Sequence, residues 1–411
     1  MNILIINHYA GSPELGREFR PYYFAKEWTK LGHKVKILAA DFSHLRSKQP
    51  LVDSDLQYQN IEGIVYVWLK TNKYKSSNFK RILSILVFIA KSLINYRKIT
   101  AISNPEIVIA SSTYPLDIYP AYLIAKKNKA KLVFELHDLW PLSPIIIGGY
   151  SKYHPYIWLM QRAENFACRR SNCYISILGN VKDYLIKHGL KDEKFFHIPN
   201  GYSNDEMDSA GMPIPEEHEK LLKKIKAGSK LIIGYAGGHA PSNALKSLIA
   251  ASSYITDNHS ITFVLVGNGS QKPEMMEIVR ANNQKNIFFL PPVSKSLIPN
   301  LLRQFDILYA GGVKSIMHSY GTSFNKIIDY MLAEKPIIFA VDEPNSLVQE
   351  TGCGIQIPAE NEAELINTIK FLSELSIEER AVMGKKGREY ALKELNYTSL
   401  AQKFLKAIES C

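Results

Sequence analysis

Short apolar runs rich in β-branched residues alternate along the whole chain with longer stretches whose apolar positions recur at helical spacing. That alternation is the signature of parallel sheets joined by crossover helices. The first half predicts strands at Ile3 to Asn7, Val35 to Ala40, Val65 to Leu69, Ile107 to Ser111, Leu132 to His137 and Cys173 to Ile177. The segment from Asn204 to His218 then loses its apolar character and carries Gly211, Pro213 and Pro215, which predicts a linker. Beyond it the pattern restarts, with strands at Leu231 to Tyr235, Ile261 to Val266, Ile287 to Leu290, Ile307 to Tyr309, Pro336 to Ala340 and Ile355 to Ile357. A final helical pattern, Tyr397 to Ile408, reads as returning to the first domain.

The expectation is an α/β chain of two Rossmann-like, doubly wound parallel-sheet domains facing a central cleft. Their bounds are 1–203 and 204–395, with a C-terminal helix at 396–411. A length of 411 residues suits two such domains. With 46% hydrophobic and 22% charged residues, neither disorder nor a repeat array is expected. Met1 to Asn7 has no basic leader, which predicts a cytoplasmic protein. Cys168, Cys173, Cys353 and Cys411 form no CxxC pair and read as reduced thiols, without structural zinc or disulfides.

Charge sharpens the picture. The chain carries +11 in all, and residues 1–200 hold 28 Lys and Arg against 15 Asp and Glu, so the excess lies wholly in the first half. A field so lopsided suits a polyanion, either anionic lipid or nucleic acid. Phe79 to Ile99 sets an apolar stretch, Ile82 to Ala90, between Arg81 and Lys91. It is shorter than the roughly 20 residues a bilayer crossing needs, which leaves a helix lying in the membrane interface or a buried packing helix. The run Lys126 to Lys131 reads as a solvated helix end.

Ligands of open parallel sheets bind beyond the carboxyl ends of the strands, and four such ends carry candidate chemistry. Gly11, Ser12, Gly16 and Arg17 form a glycine-bearing loop before a helix that opens near Arg20 and Pro21; with Arg20 it is expected to hold the acceptor or a phosphate, its backbone amides meeting phosphate or sugar oxygens. His137 and Asp138 arrive as an apolar strand gives out, the histidine suited to a sugar hydroxyl or a leaving phosphate. Gly237, Gly238 and His239 follow the first strand of the second domain, ahead of a helix capped near Ser242, and suit a phosphate. Ile198 to Gly201 reads as a turn closing the first domain. The fourth end, Ser319 to Pro336, predicts a helix capped by Thr322 or Ser323, with Asn325, Lys326 and Asp329 on one face. That face offers a cation for a diphosphate and a carboxylate for vicinal hydroxyls. Neither GxGxxG nor a P-loop occurs, which argues against nicotinamide cofactors and simple NTPases.

Taken in order, these residues resemble a family 4 glycosyltransferase of the GT-B fold over nearly the whole chain. Asn7 to Pro13, Arg20 to Tyr23 and Gly32 to Val35 resemble bacterial capsule and O-antigen transferases of N-acetyl-L-fucosamine. The resemblance implies retaining transfer from a UDP-sugar to a polyprenyl-diphosphate-linked saccharide at an anionic membrane surface, with no cofactor or metal and no nucleic acid. It gives His137 contacts to donor sugar and phosphate, Asp329 the ribose hydroxyls, and the backbone near Pro292 and Val293 the base. Two departures stand out. The first Glu of the family's E-x7-E element falls on Gly321, and no Arg follows Gly238, so Lys326 with Gly238 and His239 is expected to neutralise the diphosphate. Two rivals remain at this point: a hydrolysing UDP-sugar 2-epimerase of the same architecture, and a basic nucleic-acid-binding protein.

Overall fold

The computed structural model describes residues 1–16, 19–74, 79–205, 212–228, 231–255 and 261–411. Arg17 of the glycine-bearing loop and Gly211 of the expected linker lie outside the described residues. The chain divides into two compact units: Met1–Asn200 with Tyr397–Cys411, and Gly201–Asn396. The boundary expected at 203 thus falls just inside the second unit, and the C-terminal helix belongs to the first.

Unit 1 is built on β1 (Asn2–Ile6), β2 (Lys34–Ala40), β3 (Gln57–Ile61), β4 (Ile64–Leu69), β5 (Ile107–Ala110), β6 (Lys131–Leu136), β7 (Cys173–Ser176) and β8 (Phe195–His197). Their order in the sheet is β3-β4-β2-β1-β5-β6-β7-β8, parallel except where β3 returns along β4. The sequence reading missed the two edge strands. Strand β3 is polar, Gln57-Tyr58-Gln59-Asn60-Ile61, because one face meets water. Its hairpin turns on Glu62 and Gly63, both at positive φ, the two-residue geometry that favours glycine. Strand β8 has only three residues.

The helix Tyr397–Ser410 completes this unit's core. Tyr397 stacks on Tyr23 at 4.8 Å, Phe404 meets Phe24 and Trp28 edge-on at 5.1 Å, and the Trp28 indole donates to the Ala401 carbonyl at 3.1 Å. The helix Phe79–Ile94 is apolar on both its buried and its exposed side. Ile85, Phe88 and Ile89 are buried, whereas Phe79, Leu83, Leu86 and Ile94 are exposed. Among the described residues no helix is long and apolar enough to cross a membrane.

Unit 2 carries β9 (Leu231–Ala236), β10 (Ile261–Val266), β11 (Ile287–Leu290), β12 (Ile307–Gly311), β13 (Ile337–Ala340) and β14 (Gly354–Ile357). All are parallel, in the order β11-β10-β9-β12-β13-β14. The end of the expected linker is helical instead. His218 sits in the helix Glu216–Gly228, whose Leu222 and Ile225 are buried, and its Nε2 donates to the Pro291 carbonyl at 2.9 Å. Each sheet winds in both directions from its first strand. The resulting crevices at the carboxyl ends lie between β1 and β5 and between β9 and β12.

Arg20 shows how unit 1 is tied together, and it corrects the reading of this residue as a phosphate ligand. It opens the helix Arg20–Lys30 and is 5% exposed. Its Nε donates to Glu135 Oε1 on β6 at 2.9 Å, and its terminal nitrogens donate to the carbonyls of Ile198 and Pro199 after β8 at 2.8 and 2.6 Å. With a further bond to Asn200 Oδ1 at 3.3 Å, four of its five N–H groups are spent inside the unit. Burial alone would raise the Glu135 carboxyl; the Arg20 guanidinium, then His137 and Ser111, hold it down at about 2. Removing one partner of such a pair strands the other charge, at a cost of about 3–5 kcal/mol. Arg20→Met is therefore expected to lose about that much at pH 7 in denaturant unfolding. Because the carboxyl is depressed in the folded state, the pair's stabilisation is complete above 4.5 and fades as pH falls towards 2, so the gap between variant and wild type narrows over that window. An undiminished gap at pH 2.5 would count against the ion pair. Separately, Phe404→Ala is expected to cost about 3–5 kcal/mol by the same measurement.

Candidate active site

At the first crevice the loops after β1 and β5 interlock. Asn7 Nδ2 donates to the Ser111 carbonyl, the His8 amide donates to Ser112 Oγ at 3.1 Å, and the Ser112 amide donates to Asp117 Oδ2 at 2.8 Å. Asp117 is fully buried and its other oxygen has no protein partner; burial lifts it to about 7 in spite of the bonds from Ser112. The Thr113 hydroxyl is likewise buried and unpartnered. His137, at the end of β6, places Nε2 3.1 Å from both Glu135 Oε2 and Ser111 Oγ, with only 7% of its side chain exposed. The carboxylate fixes which face of the imidazole turns inward.

Asp138 does not share that site. Its Oδ1 accepts from the Leu139 amide at 2.8 Å and Ser143 Oγ at 2.6 Å, and its Oδ2 accepts from the Trp140 indole at 3.1 Å. It holds the following loop and the Trp140 ring in place, so it is a positioning residue. The glycine-bearing loop is a second correction. The Leu15 amide donates to Ser12 Oγ, the Gly16 amide donates to the Ser12 carbonyl, and the Gly11 carbonyl accepts from Tyr66. A β-carbon on Gly16, at φ +96°, would meet Ser47 at 2.6 Å. This is a closed turn packed on its neighbour, with the Leu15 and Gly16 amides spent internally.

The second crevice is built around the end of β9. The Gly237 and His239 amides donate to the carbonyls of Val266 and Asn268 at 3.0 and 2.9 Å, so neither is open to a phosphate as the sequence suggested. Gly238 faces open space where a side chain would stand. The His239 ring is buried with neither nitrogen partnered, and burial, then the Lys272 charge, pulls it down to about 4. The expected cap at Ser242 is absent: a 3-10 turn, Pro241–Asn243, intervenes, and the helix Leu245–Ser253 starts from Ala244 with no side-chain cap.

Lys326 reaches this strand end from the helix Asn325–Leu332. Its ammonium bonds Asn243 Oδ1, lies 3.4 Å from Tyr235 Oη and stands 4.9 Å above the Tyr235 ring. Tyr235 Oη and Asn243 Nδ2 both donate to the Gly238 carbonyl, at 2.7 and 2.9 Å, so the charge sits beside the Gly238 turn. Burial lowers Lys326 to about 8. Among the described residues it forms no ion pair.

The shared helical face expected for Lys326 and Asp329 is divided in the structure. Lys326 and Tyr330, four residues apart, point to β9, where Tyr330 Oη accepts from the Ala236 amide. Asp329 turns to the other side and takes Lys295 Nζ on both oxygens, at 2.7 and 2.8 Å. That ion pair draws the loop of exposed Pro292 and half-buried Val293 towards the helix. Asn325 is exposed at the helix start. Neither Thr322 nor half-buried Ser323 caps this helix, because the N-cap position is Phe324. The Thr322 amide and hydroxyl instead donate to Glu343, at 2.6 and 2.7 Å, and burial raises that carboxyl. Gly321, at φ +103°, would strain any other residue. Glu343 thus brings a carboxylate next to the position where the sequence lacks one.

Sequence reasoning overlooked Asn7, Ser112, Asp117, Glu135, Asn243 and Glu343 as site residues. Glu135 was the most findable, since an acid inside a strand as apolar as Lys131–Leu136 requires a buried cation. Among the described residues no group of three or more His, Cys, Asp or Glu is placed to hold a metal.

Residues 18–206 match the model of Glycosyltransferase Family 4, and residues 230–374 match that of Glycosyl transferases group 1. No curated protein matches the sequence. Among solved structures, Anabaena HepE in complex with UDP and glucose is 16% identical, with a TM-score of 0.66 and coverage of 100% of both chains. The E. coli trehalose-6-phosphate structure bound with UDP-2-fluoro glucose is 10% identical, with a TM-score of 0.74, covering 100% of this chain and 99% of that one. WaaG, a glycosyltransferase involved in lipopolysaccharide biosynthesis, is 12% identical, with a TM-score of 0.66 over 99% of each chain. These likenesses show the GT-B fold, and the two family matches, which together take in most of the chain, show that it is a glycosyltransferase of the family 4 type.

Proposed function

We propose that the enzyme moves a sugar, with retention at the anomeric carbon, from a UDP-sugar to a polyprenyl-diphosphate-linked saccharide. The donor sugar is an N-acetylated 6-deoxyhexosamine such as N-acetylfucosamine, and the setting is capsule or O-antigen assembly on the inner face of the cell membrane. The observation that carries this reading is Lys326. A buried ammonium surrounded by an amide oxygen, a phenol and two aromatic rings, with no carboxylate, calls for an anion from outside the chain.

A donor diphosphate beside Gly238 meets that charge, together with the unpartnered His239 ring. The loop at Pro292 and Val293 lies where a uracil can pack, and Asp329 offers its carboxylate to the ribose hydroxyls once shared with Lys295. Glu343 and Thr322 suit the sugar hydroxyls. As the anomeric bond breaks, negative charge collects on the departing diphosphate, and Lys326 stabilises it where water is scarce. Unit 1 receives the acceptor among His137, Asp117 and Ser112. The bound nucleotides of the HepE and E. coli structures support a UDP-linked donor. The residues resembling N-acetylfucosamine transferases, Asn7 to Pro13, support the sugar. The basic unit 1 and the exposed apolar face of the helix Phe79–Ile94 support a lipid-linked acceptor at a membrane. Resident metals and cofactors have no part in this scheme.

Hydrogen bonds to a charged group contribute about 1.5–3 kcal/mol, so Lys326→Ala is expected to weaken UDP binding by roughly 10- to 100-fold in calorimetry. The cation is lost as pH rises through about 8, so wild-type affinity should fall between pH 7.5 and 9.5, while Lys326→Arg retains it. Unchanged affinity in Lys326→Ala refutes the assignment. A screen of UDP- and GDP-sugars against extracted lipid-linked saccharides, read by mass spectrometry, tests the reaction itself.

A further inference from the structure

A second cation without an ion-pair partner among the described residues stands in unit 1. Arg81 lies one turn into the helix Phe79–Ile94, half-buried, and forms no ion pair among the described residues. Its Nε donates to Tyr9 Oη at 3.2 Å, and its guanidinium carbon lies 5.5 Å from the Tyr9 ring and 5.9 Å from the Trp140 ring. Tyr156 closes the cage, its ring edge-on to Trp140 at 6.3 Å, and its hydroxyl is buried without a partner.

The surroundings are set for an anion. Among the described residues no carboxylate is paired with the guanidinium: Asp138, two residues from Trp140, spends its oxygens on Trp140, Leu139 and Ser143. The pKa values of His44 and His8, behind Tyr9, are both pulled down, by burial first and then by nearby cations that include Arg81. His8 stacks on Tyr9 at 4.4 Å, and its amide reaches Ser112, so the cage opens onto the strand ends already described. From Arg81's own turn an exposed apolar row runs along the helix: Phe79, Leu83, Leu86 and Ile94.

We propose that Arg81, with the Tyr156 hydroxyl, is the acceptor's phosphate site, binding the phosphate or diphosphate group through which the acceptor saccharide is carried. The inference rests on the transfer reaction proposed above and assigns a residue to its acceptor side. A guanidinium presents a planar fork to phosphate oxygens, and the rings hold it without competing for charge. All of its residues belong to unit 1, whereas Lys326 belongs to unit 2.

The test uses the full chain with UDP present at saturation, so that the Lys326 site is filled. Binding of farnesyl diphosphate, inorganic pyrophosphate and farnesol is followed by calorimetry and by tryptophan fluorescence, with Trp140 as the reporter. Arg81→Gln is expected to weaken farnesyl diphosphate at least tenfold, Arg81→Lys less, and Tyr156→Phe several-fold with an unchanged melting curve. Tighter binding of farnesyl diphosphate than of pyrophosphate assigns the site to lipid-borne phosphate; equal binding assigns it to phosphate alone. Farnesyl diphosphate affinity unchanged in both Arg81→Gln and Tyr156→Phe overturns the proposal, as does farnesol binding as tightly as the diphosphate. UDP affinity measured on the same samples separates the two failures. Intact UDP binding leaves the donor reading standing, and its loss in wild type would sink that reading instead.

Discussion

A cation withdrawn from water needs a counter-charge or a full set of acceptors, and this requirement sorts the buried basic residues of the chain into two kinds. Arg20 has Glu135 and two carbonyls. Arg46 is bound by the carbonyls of Ala10 and Ala40 beneath the Trp68 ring, and burial brings it down to about 10. Both are complete in the folded chain and act as clips. Lys326 and Arg81 have aromatic rings, hydroxyls and an amide around them but no carboxylate. A fold retains such groups where a ligand completes them, and both stand at the carboxyl ends of parallel strands.

The sheets explain why these groups collect there. Strands β1 and β9 each begin a unit and are flanked by strands wound in opposite directions, so the loops that leave them part and open a crevice. Some of the buried polar atoms without protein partners lie at strand ends: Thr113 and Asp117 in unit 1, His239 and His318 in unit 2. Elsewhere such atoms are a cost to stability. At a strand end they are acceptors and donors already aimed at a substrate, whose binding repays their desolvation.

Most of the architecture was legible from apolar runs, because strands buried on both faces leave an unbroken hydrophobic trace, as in Ile107–Ala110 and Ile261–Val266. The edge strands β3 and β8 escaped for the opposite reason: one is half-solvated and the other too short to set a pattern. Position after a strand is what singled out His137, Gly238 and Lys326 as candidates. Roles were harder to read. Arg20 looked like a phosphate ligand because its partners lie more than a hundred residues away in sequence, and Asp138 looked catalytic because its bonds to Trp140 and Ser143 depend on a loop conformation. Helical spacing placed Lys326 and Asp329 on one face, but a ring on β9 and an ion-pair partner in the 3-10 turn Lys295–Leu297 turned the two side chains apart. Glu343 was invisible, being joined to Thr322 only by the fold.

The uncompensated ammonium of Lys326 is the centre of this account, and its titration is the most direct measure of it. The Lys326 side-chain NMR signal, assigned by comparison with Lys326→Arg, can be followed through pH in the free chain and with UDP bound. The account predicts a midpoint near 8 in the free chain, because burial disfavours the charge, and a clear rise when UDP supplies the missing anion. A midpoint at the ordinary lysine value of 10.5 without ligand, or one that UDP leaves unmoved, would contradict it.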